Sequence, residues 1–136
     1  MGIIGCDIHC YMEIKLKGEW VFIGYMPSQR SYDEFSKMSG VRGGDIPFFP
    51  MADVLPNDCT LEMRNVLGNP EEPESFELED GLHSLTIASY FNVKTFNKKF
   101  HQGTFGFVPM AVAWEKIMTK SLEVAEDARI IFAYDN

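Results

Sequence analysis

The sequence predicts an α+β domain. Its antiparallel or mixed sheet is built on a long N-terminal hairpin and the C-terminal strand, covered by a C-terminal helix. Three observations predict it: strict alternation from Ile3 to Leu16, a broad apolar stripe beginning after Pro109, and a compact apolar run from Ala128 to Tyr134. Between the hairpin and that helix the chain carries a long Pro/Gly-rich region that reads as ordered loop. At 136 residues the chain is read as a single domain, 1–136. A chain of this length can bury roughly two thirds of its unfolded surface around one core.

In the first stretch Ile4, Cys6, Ile8, Cys10, Met12, Ile14 and Leu16 alternate with Gly5, Asp7, His9, Tyr11, Glu13 and Lys15. Period-two alternation is the pattern of a half-buried strand, so one face packs on a core. The other carries Asp7, His9 and Tyr11 in a row about 6 to 7 Å apart, and that row is the candidate site. Lys17-Gly18-Glu19 turns the chain into a second strand from Trp20 to Met26, which Pro27 ends. Ser31 and Glu34 have the spacing of a capping box, followed by Tyr32, Phe35 and Met38 on one helical face and by Gly40 as a stop.

From Val41 to Asp80 lie Gly43-Gly44 and five prolines, with one helix expected between Asp58 and Leu67. The acidic run from Glu71 to Asp80 reads as a solvated surface, in a region long enough to serve as a lid over the polar row. After a turn from Asp80 to Ser84, Leu85 to Phe91 reads as a short helix capped by Ser84 or Thr86, and Val93 to Phe107 as a strand or hairpin. Pro109 opens a helix to about Val124, with Met110, Ala113, Trp114, Ile117, Met118 and Leu122 on its apolar face.

A formal net charge of −8 argues against DNA or RNA polymers as partners, because the surface repels a phosphate backbone over long range. It leaves room for a small anion, with Arg30, Arg42, Arg64, Lys94, Lys98, Lys99 and Arg129 as local donors. Three cysteines make an odd count. Cys6 and Cys10 share the apolar face about 13 Å apart, too far to bridge, which suits reduced thiols in the cytoplasm. No run approaches the ~18 apolar residues of a membrane span, and the N-terminus lacks a signal-peptide layout, so no membrane partner is expected.

Asp7 and His9 can reach one ligand or one ion, and Asp80 with His83 supplies a second carboxylate and imidazole. A divalent cation held by Asp7, His9 and Asp80 is therefore one expectation, and an Asp–His hydrogen bond without a metal is the other. A thiol on the core face is desolvated, which disfavours cysteine nucleophiles. Gly43-Gly44 lacks the spacing of a phosphate-binding loop and reads as a turn. His101, after Lys98-Lys99-Phe100, reads as surface. Arg129 enters an apolar strand and needs a partner, for which Asp7 or Asp135 is available.

Several of these segments resemble a family of small proteins of tailed phages and prophages. The resemblance lies in Gly5-Cys6-Asp7-Ile8-His9, the helix start Arg30 to Phe35 running on to Arg42, the turns Leu55 to Asp58 and Asp80 to Ser84, and the ending Ala128 to Asn136. Members open with the same GCDIH signature and end in a strand like VRIVFWFDN. This chain departs at Leu82, inserted in a usually tighter Asp-x-His-Ser turn, and at Leu85-Thr86, where a Trp is usual. The resemblance implies a phage origin, hence the cytoplasm of an infected bacterium, and marks Asp7, His9, Arg42, Asp58, His83, Ser84, Arg129 and Asp135.

Three functional classes follow. In the first, Asp7, His9, Tyr11, Arg42, His83, Ser84 and Arg129 bind a small nucleotide-like ligand, in a phage context a host immune signal to be sequestered. In the second, a metal-dependent phosphodiesterase uses Asp7, His9 and Asp80 as ligands, with His83 or His9 as general acid or base. In the third, the acidic loop and exposed aromatics inhibit a host enzyme by binding it. Sites of this kind are often built at symmetric interfaces, which makes a homo-oligomer an open expectation.

Overall fold

The computed structural model of the protein describes residues 5–103 and 108–136. Residues 3–4 of the expected first strand and 104–107 of the expected Val93–Phe107 hairpin lie outside the described residues. In chain order the elements are β1 (Ile8–Leu16), β2 (Glu19–Tyr25), α1 (Tyr32–Ser39), α2 (Leu61–Leu67), β3 (Leu82–Ser89), α3 (Tyr90–Phe100), α4 (Met110–Ser121) and β4 (Asp127–Asp135). The strands form one sheet in the order β2-β1-β4-β3, antiparallel throughout. The α+β class, the N-terminal hairpin, the C-terminal strand and the helix after Pro109 stand as the sequence predicts.

Lys17 and Gly18 turn the β1–β2 hairpin with φ of 50° and 81°, left-handed values whose twist matches the flanking strands. α1 follows its capping signal, with Ser31 Oγ accepting from Glu34 N and Gly40 at the C-cap. The segment expected as a helix from Leu85 to Phe91 is instead mostly β3, and the expected hairpin from Val93 is instead α3. Ser89 ends the strand and at once caps the helix by accepting from Asn92 N. With no loop between them, the switch from period two to the 93, 96, 97, 100 spacing is hard to place from sequence.

Both faces of the sheet are covered. On one, Ile8, Cys10, Met12, Ile130, Phe132 and Tyr134 pack with Phe35 of α1, Phe96 of α3 and Trp114 of α4. On the other, Ile131 and Ala133 pack with Met63 and Leu67 of α2, Leu55, and the partly buried Tyr11, Phe76 and Leu78. The acidic run thus lies over the second face, anchored by its apolar residues, while its glutamates stay exposed. No helix of the described residues is long and apolar enough to cross a membrane.

Two buried polar contacts tie distant elements together. Glu13 is fully buried on β1; Arg129 Nε donates to its Oε1 at 2.9 Å and the Thr60 N–H to its Oε2 at 2.7 Å. Arg129 also reaches Asp58 at 3.1 Å and lies 4.0 Å from the Trp20 ring centroid. Its partners are therefore Glu13 and Asp58, not Asp7 or Asp135, because β1–β4 pairing sets Arg129 opposite Glu13. The second contact joins Glu34 of α1 to His101 at 2.5 Å, both side chains buried, so His101 is a packed residue and not surface.

Arg129→Ala leaves the Glu13 carboxylate buried without its cation, and urea denaturation is expected to show a loss of about 3–5 kcal/mol. A loss below about 1 kcal/mol would mean that water replaces the guanidinium at no cost.

Burial raises the Glu34 carboxyl to about 7, with Asp33 adding to the rise and Lys37 and the Ala111 N–H opposing it. Burial also lowers His101, so both shifts favour a neutral acid donating to a neutral imidazole. The stability that protonated Glu34 contributes is complete below its ordinary 4.5 and is lost as pH rises through about 7. His101 acts at the other end, costing stability as pH falls below its ordinary 6.5. Glu34→Gln is expected to abolish the alkaline loss alone, read as a flat melting temperature from about pH 6.5 to about pH 8 where the parent declines. An equal decline in both proteins would remove Glu34 as its source.

Candidate functional site

One end of the sheet collects most of the polar residues singled out by the sequence. β1 and β4 enter it side by side, with Asp135 N donating to Asp7 O and Asp7 N to Asp135 Oδ1, each at 3.0 Å. The other Asp135 oxygen lies 2.7 Å from His9 Nε2. Burial pushes the Asp135 carboxyl up, but His9 and the Asp7 N–H outweigh it and hold it below the usual carboxylate range. With Nε2 committed to Asp135, Nδ1 is the remaining polar atom of the His9 ring.

Asp7 is held in turn by Arg30, whose Nε and Nη2 each donate to one carboxylate oxygen at 2.9 Å. This bidentate pair keeps the Asp7 carboxyl below its ordinary value. The guanidinium lies against Gly5, where a Cβ would come within 2.5 Å of Nη1, so the GCDIH glycine is the residue that admits it. Asp7, Ile8, His9, Tyr25, Ser28, Gln29 and Arg30 line a cleft of about 320 Å³. Tyr25 is 66% exposed, its ring 4.9 Å from that of Tyr11.

Of the residues expected to bind ligand, Asp7 and His9 line this cleft and Tyr11 stands behind it, supporting Tyr25. Arg42, His83 and Ser84 belong to the opposite side of the same sheet end. His9 pairs with Ala133 of the second core, whereas the His83 ring stacks over Tyr134 of the first at 6.3 Å. His83 Nε2 meets Asn136 Oδ1 at 2.6 Å and its Nδ1 meets Ser84 Oγ at 2.9 Å. Arg42 lies 5.2 Å from the Tyr32 ring centroid, and the Tyr32 hydroxyl accepts from Cys6 N. Ser84 and Arg42 hold φ of 58° and 61°, Ser84 at the irregularity between His83 and Thr86.

Arg129 lies at the other end of the sheet, outside the cleft. Asp80 precedes β3, and β4 separates β3 from β1, a span of about 9 to 10 Å across two strand spacings. Among the described residues no three His, Cys, Asp or Glu side chains converge as a cation site would need, so the trio Asp7, His9 and Asp80 is not assembled. His83 and His9, expected as alternative acid and base, face opposite sides and do not share a substrate. Tyr25, Ser28 and Gln29 carry no sequence signal for a site. They join it because β2 runs antiparallel beside β1, which sets Tyr25 opposite Tyr11.

The fold and the site define a class: a small α+β protein with a cleft of about 320 Å³ between the start of β1 and the end of β2, beside an Asp–His pair that joins β1 to β4. Compared with models of protein families, with curated proteins and with solved structures, the chain matches none.

The Asp135 carboxylate fixes the His9 tautomer that carries its proton on Nε2. Nitrogen-15 NMR of the imidazole is expected to show a protonated Nε2 in the neutral parent protein and a mixed tautomer in Asp135→Asn. An unchanged tautomer in the variant would show that some other group orients the ring.

Proposed function

We propose that this protein binds a small nucleotide-like ligand in the cleft between β1 and the end of β2. One observation carries the proposal: a half-buried imidazole, oriented by a carboxylate, opens on a cleft edged by an exposed tyrosine ring and an arginine. A base stacks on Tyr25; Ser28 and the Gln29 carbonyl face a sugar or base edge while the Gln29 nitrogen is held by Val108 O; and His9 with the Arg30 guanidinium meets a phosphate. The volume of about 320 Å³ is at the small end of ligand pockets and suits a mononucleotide or one half of a dinucleotide. The resemblance to phage proteins supplies a role, sequestration of a host immune nucleotide.

The same His9–Asp135 pair supports a second reading, in which His9 is a general base that activates water against a phosphodiester. Mixing the protein with mono-, di- and cyclic nucleotides, with and without divalent metal or chelator, separates the two when filtrates are chromatographed before and after heating. Binding predicts one species depleted and returned intact on heating, with His9→Ala weakening capture at least about tenfold. New products would replace sequestration by hydrolysis. Capture unaffected by His9→Ala would move the ligand away from this cleft.

A further inference from the structure

The sheet has two edges, and the chain treats them differently. Along the outer side of β3, Ala52 N donates to Leu85 O at 3.1 Å and Ile87 N to Pro50 O at 3.0 Å, so the segment around Met51 covers that edge. β2 is the other edge. Among the described residues no backbone hydrogen bond reaches Glu19–Tyr25 from outside the sheet. An uncovered edge offers its N–H and C=O groups to another strand, and proteins usually guard it with Lys, Pro or a bulge. β2, EWVFIGY, has neither Lys nor Pro, and its one irregularity comes only after Phe22.

The hairpin turn fixes which groups point outward. Lys17 and Gly18 form a two-residue turn, so Leu16 and Glu19 exchange backbone hydrogen bonds, and by alternation Val21 does so with Ile14. Trp20 and Phe22 therefore turn their N–H and C=O groups away from β1. Val21 is 38% exposed and Ile23 49%, Val21 standing beside Ile14 at the margin of the first core. Local charge does not oppose close approach: from Lys15 to Tyr25 the sequence holds two lysines and one glutamate, in a chain of net charge −8.

We propose that two copies of this chain join edge to edge through β2, antiparallel about a twofold axis at Val21, into one continuous sheet. In this register the strand complements itself. Trp20 and Phe22 of one copy exchange backbone hydrogen bonds with Phe22 and Trp20 of the other, using the outward groups. Their rings pair across the strands on one face; on the other Val21 meets its own copy, with Ile23 across from Glu19. Centring on Phe22 instead would run the ladder into the irregularity at Gly24. The ladder ends before Gly24, so Tyr25 and the cleft beside it stay open.

Sedimentation equilibrium of the full chain from about 1 to about 300 µM tests this, a range that spans weak and standard interfaces. The parent is expected to approach twice its 15.5 kDa mass, and its Trp20 and Phe22 amides to lose hydrogen-exchange protection on dilution. V21K sets two like charges on the axis and is expected to weaken association at least about tenfold with an unchanged circular dichroism spectrum. V21C brings two thiols onto the axis, where opposed Cα atoms lie about 4.5 Å apart, and is expected to form an intermolecular disulfide on oxidation, while the buried native cysteines do not. A monomer at every concentration would leave the edge to a strand of some other protein and overturn the proposal. So would a dimer that V21K leaves intact or that V21C fails to crosslink, since its contact would lie elsewhere.

Discussion

The pairing of β1 with β4 is the constraint on which the rest of the molecule depends. Eight residue pairs join them, from Ile8 opposite Tyr134 to Lys15 opposite Asp127, so the first and last described strands form the centre of the sheet. β2 is attached through β1 and β3 through β4. Each core is lined by residues from this central pair, and neither exists until the chain ends have met. Closing so long a loop is unfavourable until the contacts it permits are made, so the topology is non-local and slow by its nature.

The same closure makes the candidate site. Asp7 and Asp135 are 128 residues apart, and their reciprocal backbone and side-chain hydrogen bonds exist only because their strands lie in register. His9 is oriented by that arrangement, and Arg30 is held by the Asp7 it exposes. A one-residue slip of β4 would turn Asp135 to the other face and put Tyr134 in its place. Buried polar groups elsewhere oppose that slip. Glu13 requires Arg129 opposite it, and the Tyr134 hydroxyl meets Ser39, which also meets Thr86 on β3. Unpairing any of these in a dry interior costs far more than exchanging two apolar side chains.

Much of the fold is legible in the residues. The alternation around Ile8 to Leu16 specifies β1, Ser31 and Gly40 bracket α1, and the stripe after Pro109 specifies α4, because strand and helix periods and cap chemistry are local properties. The passage from β3 to α3 was not legible, since a single serine ends one and caps the other. Nor was the closure of the second sheet face, where α2 and the acidic segment cover Tyr11 and Glu13 and leave only Asp7 and His9 open to the cleft. Alternation marks Glu13 as facing away from the first core; it says nothing of what lies over it.

By itself the sequence determined the α+β class, the N-terminal hairpin, the C-terminal strand and the helix before it, the prominence of Asp7 and His9, and the net charge of −8. Tertiary structure decided which of the remaining polar residues meet. It placed Arg30 and Tyr25 beside His9, sent His83, Ser84 and Arg42 to the opposite side, and removed Arg129 to the far end with Glu13. It also drew Lys94, Lys98 and Lys116 of two helices to one groove beside the buried Asn97. The physical reason is common to all of these. Periodicity tells a side chain's direction within its own element, whereas a site is defined by strand order and register, which are settled by residues far away in the chain.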